Sequence, residues 1–138
     1  MISLFEEVKG SIKRHEGWSP KPYPDPLTGG EPYTFGYGFT YITRPEGESI
    51  LDNRLIEISR QLVKRVPYFR EYARNVQFVL IEMAYALGVS GLLGFRKMLK
   101  CLERGDTEGA AKELKDSVFY RRETNRVEDL IDRLRRGK

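Results

Sequence analysis

Cysteine and histidine are almost absent from this chain of 138 residues, with Cys101 and His15 the only examples of each. A lone cysteine excludes an internal disulfide. One cysteine and one histidine also leave no ligand set for a structural zinc or a histidine-rich metal centre. Cys101 falls in an apolar-periodic stretch and is expected to be a buried small hydrophobe rather than a nucleophile. No metal and no cofactor are implied. Long hydrophobic runs are missing too: nothing approaches the ~18 consecutive apolar residues of a membrane span, so stable membrane insertion is not expected. From Met1 to Arg14 the chain is acidic early and has no apolar run of signal-peptide length. The expectation is therefore a protein made in a cytoplasm, whose export needs outside help.

What is present fits a folded chain. Hydrophobic residues make up 40% and charged residues 32%, the latter mixed in sign, which suits one domain or two small lobes sharing a core. The net charge of +4 and a pI near 9.2 favour a polyanionic partner: nucleic acid, an anionic membrane surface or a bacterial cell wall. Basic residues are spread through 9–14, 60–74 and 133–138 without a dense helix or a binding signature, so nucleic acid is the poorest of the three.

Ser3 and Glu6 form a capping box before a helix with Leu4, Phe5, Val8 and Ile12 at helical spacing, and Gly17 offers its stop. From Trp18 to Thr43 prolines, glycines and aromatics gather. The alternation of Tyr33, Phe35, Tyr37 and Phe39 predicts a small antiparallel sheet, with a turn at Gly29-Gly30. Helical periodicity returns after Pro45, with Leu51, Leu55, Ile58 and Leu62 on one face and Pro67 as the end. Asn75 is placed to cap a helix over 76–87 that is apolar nearly all round and ends at Gly88, which predicts a core position. Shorter helices follow over about 95–102 and over 107–114 behind an Asp106 cap. A last helix after Thr124 carries Val127, Leu130, Ile131 and Leu134 on one side. The fold class is α+β and mostly helical. A sheet-bearing lobe is expected over about 15–50, a connecting helix over about 51–66, and a helical lobe over about 67–138 together with the N-terminal helix.

Two carboxylates stand out. Glu16 ends the first helix, where unpaired carbonyls and the negative end of the dipole disfavour ionisation, a position suited to a general acid. An exposed glutamate at a frayed helix end is the plainer alternative. Asp25, in Tyr23-Pro24-Asp25-Pro26, is held between prolines on a stiff loop, where an Asx turn is the plainer alternative. Together they meet the need of glycoside hydrolysis for one acid and one opposing carboxylate. Thr34 opens Thr34-Phe35-Gly36-Tyr37-Gly38, where its hydroxyl is placed to hold a water beside Asp25 or simply to serve the strand. Gly36 and Gly38 leave either a smooth surface for a bulky ligand or room for tight sheet packing.

The ordered set His15-Glu16-Gly17, Tyr23-Pro24-Asp25 and Tyr33-Thr34-Phe35-Gly36-Tyr37-Gly38 resembles the catalytic stretch of the phage-type lysozymes. Met83 to Gly88, Gly94-Phe95, Ser117 to Tyr120 and Thr124-Asn125-Arg126 are similar to later parts of that family, so the resemblance runs from about Ser3 to Leu134. It implies a lysozyme-like two-lobe fold and cleavage of the bond between N-acetylmuramic acid and N-acetylglucosamine in bacterial peptidoglycan, with inversion. It makes Glu16 the general acid, Asp25 the residue that positions or activates water, and Thr34 the residue that holds it. Tyr85, Leu87, Gly88 and Phe95 become substrate-binding positions, and Arg126 a supporting arginine near Glu16. A monomer released to the wall with the help of a holin is the implied setting.

The chain departs from the family pattern in places. The turn between Asp25 and Thr34 is longer, Phe39 stands where a histidine often follows the second glycine, and Glu113 and Val118 occupy expected polar or basic cleft positions. A lytic transglycosylase, which needs no carboxylate to direct water, and a non-catalytic wall-binding protein are the rival readings.

Overall fold

The computed structural model describes residues 3–24, 26 and 28–137. Contacts group the chain into two compact units, Met1–Ser49 and Ile50–Lys138.

In the first unit, helix α1 (Leu4–Glu16) has the ends its sequence announces. Ser3 Oγ accepts from the Glu6 N–H at 3.1 Å, and Gly17, at φ 69°, donates its N–H to the Lys13 carbonyl at 3.0 Å. The Leu4, Phe5, Val8, Ile12 stripe forms but buries nothing: α1 has no buried residue. Its apolar side, with Tyr37 and Phe39, borders an open groove of about 380 Å³.

Strands β1 (Ser19–Tyr23) and β2 (Thr34–Gly36) pair antiparallel, with Ser19 opposite Gly36 and Tyr23 opposite Thr34. The aromatic alternation through Phe39 predicts one longer strand; the structure divides it. Phe35 and Phe39 exchange both backbone hydrogen bonds, at 2.8 and 2.7 Å, so Gly36-Tyr37-Gly38 is the loop of a tight hairpin. Gly36 (φ 58°) and Gly38 (φ 78°) take left-handed conformations that only glycine adopts freely, and these reverse the chain. Period two is blind to such a turn because the residues on both sides of it are apolar. In the segment before β2, Thr28 Oγ1 donates to the Glu31 carbonyl, and Gly29 takes φ 72° as the glycine pair leads one to expect.

Helix α2 (Arg44–Arg65) begins in the first unit and continues into the second. It starts about two turns before its apolar periodicity. Thr43 and Glu46 form a reciprocal cap, with Thr43 N–H and Oγ1 on Glu46 Oε1 (2.9 and 2.7 Å) and Glu46 N–H on Thr43 Oγ1 (3.3 Å). Pro45 in the first turn suits this start, because its missing N–H is one the helix does not use.

The second unit holds the hydrophobic core. Helix α3 (Arg74–Leu93) buries Val76, Val79, Leu80, Met83 and Ala84. α4 (Arg96–Glu103), α5 (Thr107–Lys115), α6 (Val118–Arg122) and α7 (Thr124–Arg136) follow, with α4 and α7 packed directly against α3 and α5 packed on α4, α6 and α7. The predicted face of α7 (Val127, Leu130, Ile131 and Leu134) is buried, as is Cys101. Each such aliphatic side chain contributes on the order of 1.5–3 kcal/mol. The Asp106 cap is formed, its Oδ1 accepting from Gly109 N–H at 2.8 Å.

Three differences from expectation arise here. Asn75 is not a cap; it is buried within α3 and its Nδ2 donates to the Arg133 carbonyl (3.2 Å) in the last turn of α7, which also accepts from the Gly137 N–H. Gly88 (φ 80°, ψ 157°) interrupts α3, but the helix resumes to Leu93. Helix α6 is additional: Ser117 Oγ accepts from Tyr120 N–H and donates to the Leu114 carbonyl, starting a turn too short for periodicity to register.

The Arg135 guanidinium holds both Glu108 oxygens, at 3.0 and 3.1 Å, and joins α7 to α5. Its hydrogen bonds keep the Glu108 carboxyl below the ordinary carboxylate range. A lowered folded-state pKa makes the contribution complete above the unfolded value and lost as pH falls through the folded one. Glu108→Gln should lower Tm slightly at pH 7, and thermal melts should show the difference from the parent shrinking as pH drops below about 4.

Candidate active site

Glu16 sits where α1 stops, and the stop is made by backbone chemistry. Gly17 turns left-handed to satisfy the Lys13 carbonyl, and Glu16 is the last residue before that turn. The last turn also carries Lys13, Arg14 and His15, so the same helix end holds both the negative dipole pole and three basic side chains. The His15 ring folds back, Nδ1 donating to the Ser11 carbonyl at 2.8 Å. Lys13 Nζ lies 5.3 Å from the Tyr37 ring centroid, and the Tyr37 ring packs against Trp18 at 5.0 Å. These contacts hold the β2 hairpin loop against the end of α1.

The Glu16 side chain reaches that loop. A Cβ on Gly38 would stand 2.5 Å from Glu16 Oε2 and 2.8 Å from its Cδ, so the carboxylate rests on the Gly38 backbone. A Cβ on Gly36 would stand 2.6 Å from the Phe39 ring. The two glycines therefore do not present a smooth open surface. Each leaves room for one side chain of the same unit, an aromatic ring in one case and the catalytic candidate in the other. Phe39, in the place of the family's frequent histidine, fills the first.

Thr34 begins β2 and is nearly inaccessible, 9% exposed. Its Oγ1 has no hydrogen-bond partner among the described residues. A buried hydroxyl left so costs about 1–3 kcal/mol, and such groups are commonly met by ordered water or a ligand atom. Asp25 lies outside the described residues; Tyr23, two positions before it in sequence, is the residue paired with Thr34. The structure thus brings Glu16 to the loop that follows Thr34, in one unit.

The remaining sequence candidates belong to the second unit. Tyr85 is 43% exposed and, with Gly88 and Arg126, lines an open groove of about 560 Å³. The interruption of α3 at Gly88 lies within this groove. Leu87 is half-buried against the core. Phe95 borders a separate groove of about 480 Å³ that also includes Glu113. Tyr85 and Gly88 thus share one groove, Phe95 borders another and Leu87 packs on the core.

Arg126 is held by two carboxylates, with Nε 3.2 Å from Glu82 Oε2 and Nη1 3.1 Å from Glu123 Oε1. Its partner Glu123 is visible in sequence as an i,i+3 pair. Glu82 is not, because it comes from α3. Arg54 and Glu57, which line the Tyr85 groove from α2, were not among the sequence candidates either. Arg54 flanks the apolar stripe of α2, three residues from Leu51 and four from Ile58, where a charged side chain reads as a solvated neighbour. Among the described residues no cluster of three or more histidine, cysteine, aspartate or glutamate side chains is suited to hold a metal.

The chain is similar to known proteins. Over 89 residues, 62% of the chain, it is 31% identical to the pre-baseplate central spike protein Gp5 of Enterobacteria phage T4. Over 100 residues, 70% of the chain, it is 26% identical to the probable T4-type lysozyme 1 of Dictyostelium discoideum. These matches span only 16% and 58% of the two relatives' own lengths. The family model for phage lysozyme matches residues 13–136, a stretch that includes Glu16, the β-hairpin and all of α2 to α7. The mostly helical α+β chain therefore belongs to the phage lysozyme family.

Proposed function

We propose that this chain is a muramidase, hydrolysing the β-1,4 bond between N-acetylmuramic acid and N-acetylglucosamine in bacterial peptidoglycan. The observation that carries the reading is the Glu16 carboxylate seated on Gly38, in the Thr-x-Gly-x-Gly segment of a phage lysozyme family member.

In this mechanism Glu16 protonates the glycosidic oxygen as the bond to the leaving sugar breaks and positive charge builds at the sugar carbon. Asp25 acts as the opposing carboxylate, orienting and deprotonating a water that attacks the other face, which inverts the configuration. Thr34 accompanies it: a buried hydroxyl without a described partner has both a donor and an acceptor left for that water. The Tyr85 groove, apolar at Ile58 and Val89 and charged at Arg54, Glu57 and Arg126, has the mixed lining that a sugar with acetamido and hydroxyl groups needs. The positive net charge favours approach to anionic wall polymers. In its biological setting the enzyme acts as a monomer in host-cell lysis, leaving the host cytoplasm through a holin pore.

Mass spectrometry of products from purified peptidoglycan tests the reaction. Hydrated muramic-acid reducing ends are expected; anhydro-muramic ends would replace hydrolysis by a transglycosylase, and no cleavage of several wall types would leave a binding protein. Glu16→Gln should retain the parent's melting temperature and lose activity by about 10²-fold or more. Asp25→Ala should be comparably inactive, and a fully active variant would place the base elsewhere. Thr34→Val separates function from stability. Removing an unpartnered buried hydroxyl should hold or raise Tm, while turnover falls roughly tenfold, the equivalent of one hydrogen bond of about 1.4 kcal/mol.

A further inference from the structure

The hairpin loop bears on the acid in a way that the motif order does not express. Seven glycines have positive φ, and in most of them an added Cβ would meet open space: Gly17, Gly29, Gly88, Gly105 and Gly137 have nothing within 4 Å among the described residues. Gly38 differs, because the atoms facing its missing Cβ are Glu16 Oε2 at 2.5 Å, Cδ at 2.8 Å and Cγ at 3.2 Å. All three belong to the end of one flexible side chain. A methyl group there would displace the carboxylate before it displaced any backbone.

We infer that Gly38 is a positioning residue for Glu16: its bare backbone is the seat that sets where the carboxyl group stands at the end of α1. This rests on the reading of Glu16 as the acid for its catalytic consequence, but not for the contact itself. The other determinants of the carboxylate's place are weak by comparison. Glu16 is exposed, it follows a helix rather than lying inside one, and no hydrogen bond or ion pair to its side chain is seen among the described residues. A side chain with three rotatable bonds in that setting samples several rotamers unless one surface confines it. The loop that provides the surface is itself fixed, by the paired hydrogen bonds of Phe35 and Phe39 and by the Trp18–Tyr37–Lys13 stack. General-acid catalysis depends on that confinement, because the proton must lie within hydrogen-bond reach of the glycosidic oxygen.

The test combines kinetics with a thermal-melt cycle. Gly38→Ala carries two costs, the left-handed backbone and the contact with Glu16. Gly29→Ala carries the first alone, since it has φ 72° and open space. Gly38→Ala is expected to lower kcat on peptidoglycan about tenfold or more with KM within about twofold, whereas Gly29→Ala should melt lower but turn over at the parent rate. In the cycle, the Tm loss caused by Gly38→Ala should be smaller in a Glu16→Ala background than in the parent, because the colliding carboxylate is gone. Should Gly38→Ala alone fail to fold, recovery of the fold in the double variant supports the contact, and failure of both overturns it. Equal Tm losses in the two backgrounds also overturn it, as does an unchanged kcat. If Glu16→Gln keeps its activity while the cycle still shows coupling, the contact stands and only the assignment of Glu16 as the acid falls.

Discussion

Helix α3 is the most apolar helix of the chain, and the second unit is arranged around its buried face. Its sequence from Val76 to Leu87 offers water only a few polar positions, so burying it is the largest single gain available to the chain. α4 and α7 pack against it and α5 packs on both of them, while Phe78 and Tyr85 of α3 stay exposed. The buried set is accordingly continuous: Leu80 and Met83 from α3, Met98 and Leu102 from α4, Leu114 from α5, Leu130 and Ile131 from α7. The polar exceptions are satisfied locally. Asn75 enters this core only because its amide is spent on the Arg133 carbonyl, and Arg126 lies at the edge between Glu82 and Glu123.

The first unit is ordered by different means. Its helix buries no residue, and the hydrophobic cluster contains none of its side chains. What defines its shape is backbone: the Ser3 cap, the left-handed stop at Gly17, the short β1–β2 ladder and the loop of Gly36-Tyr37-Gly38. Aromatic contacts among Trp18, Tyr37, Phe35 and Phe39 then fix the loop. Chemistry suits such a region. Turns and helix ends leave polar groups exposed and aimed, whereas a packed core leaves them no freedom. Glu16 and Thr34 illustrate the two consequences, one exposed at a helix end against a glycine, the other enclosed with an uncommitted hydroxyl.

The family was legible in the sequence because order along the chain is itself the signal. Glu16 before a glycine stop, the proline-flanked Asp25 and the Thr-x-Gly-x-Gly segment need no folding to be recognised, and they carried the family resemblance that the wider comparison supports. What the sequence does not display is which distant segments meet. Tyr85 and Phe95, both substrate-binding positions by the family resemblance, border different grooves. The Glu82 partner of Arg126 was invisible for the same reason.

The sequence by itself determined the helices with strong apolar faces, their caps at Ser3 and Asp106, the stop at Gly17 and the identity of the chemical candidates. Those features arise from neighbours three or four residues apart, whose interactions are present before any tertiary contact forms. Tertiary structure alone decided that Asn75 serves a carbonyl of α7 instead of capping its own helix. It also decided that the aromatic alternation folds into a hairpin, and that Gly38 receives a carboxylate rather than a ligand surface. Each of these depends on which group from a remote segment arrives beside a vacant hydrogen bond or a missing Cβ, and local periodicity holds no record of that arrival.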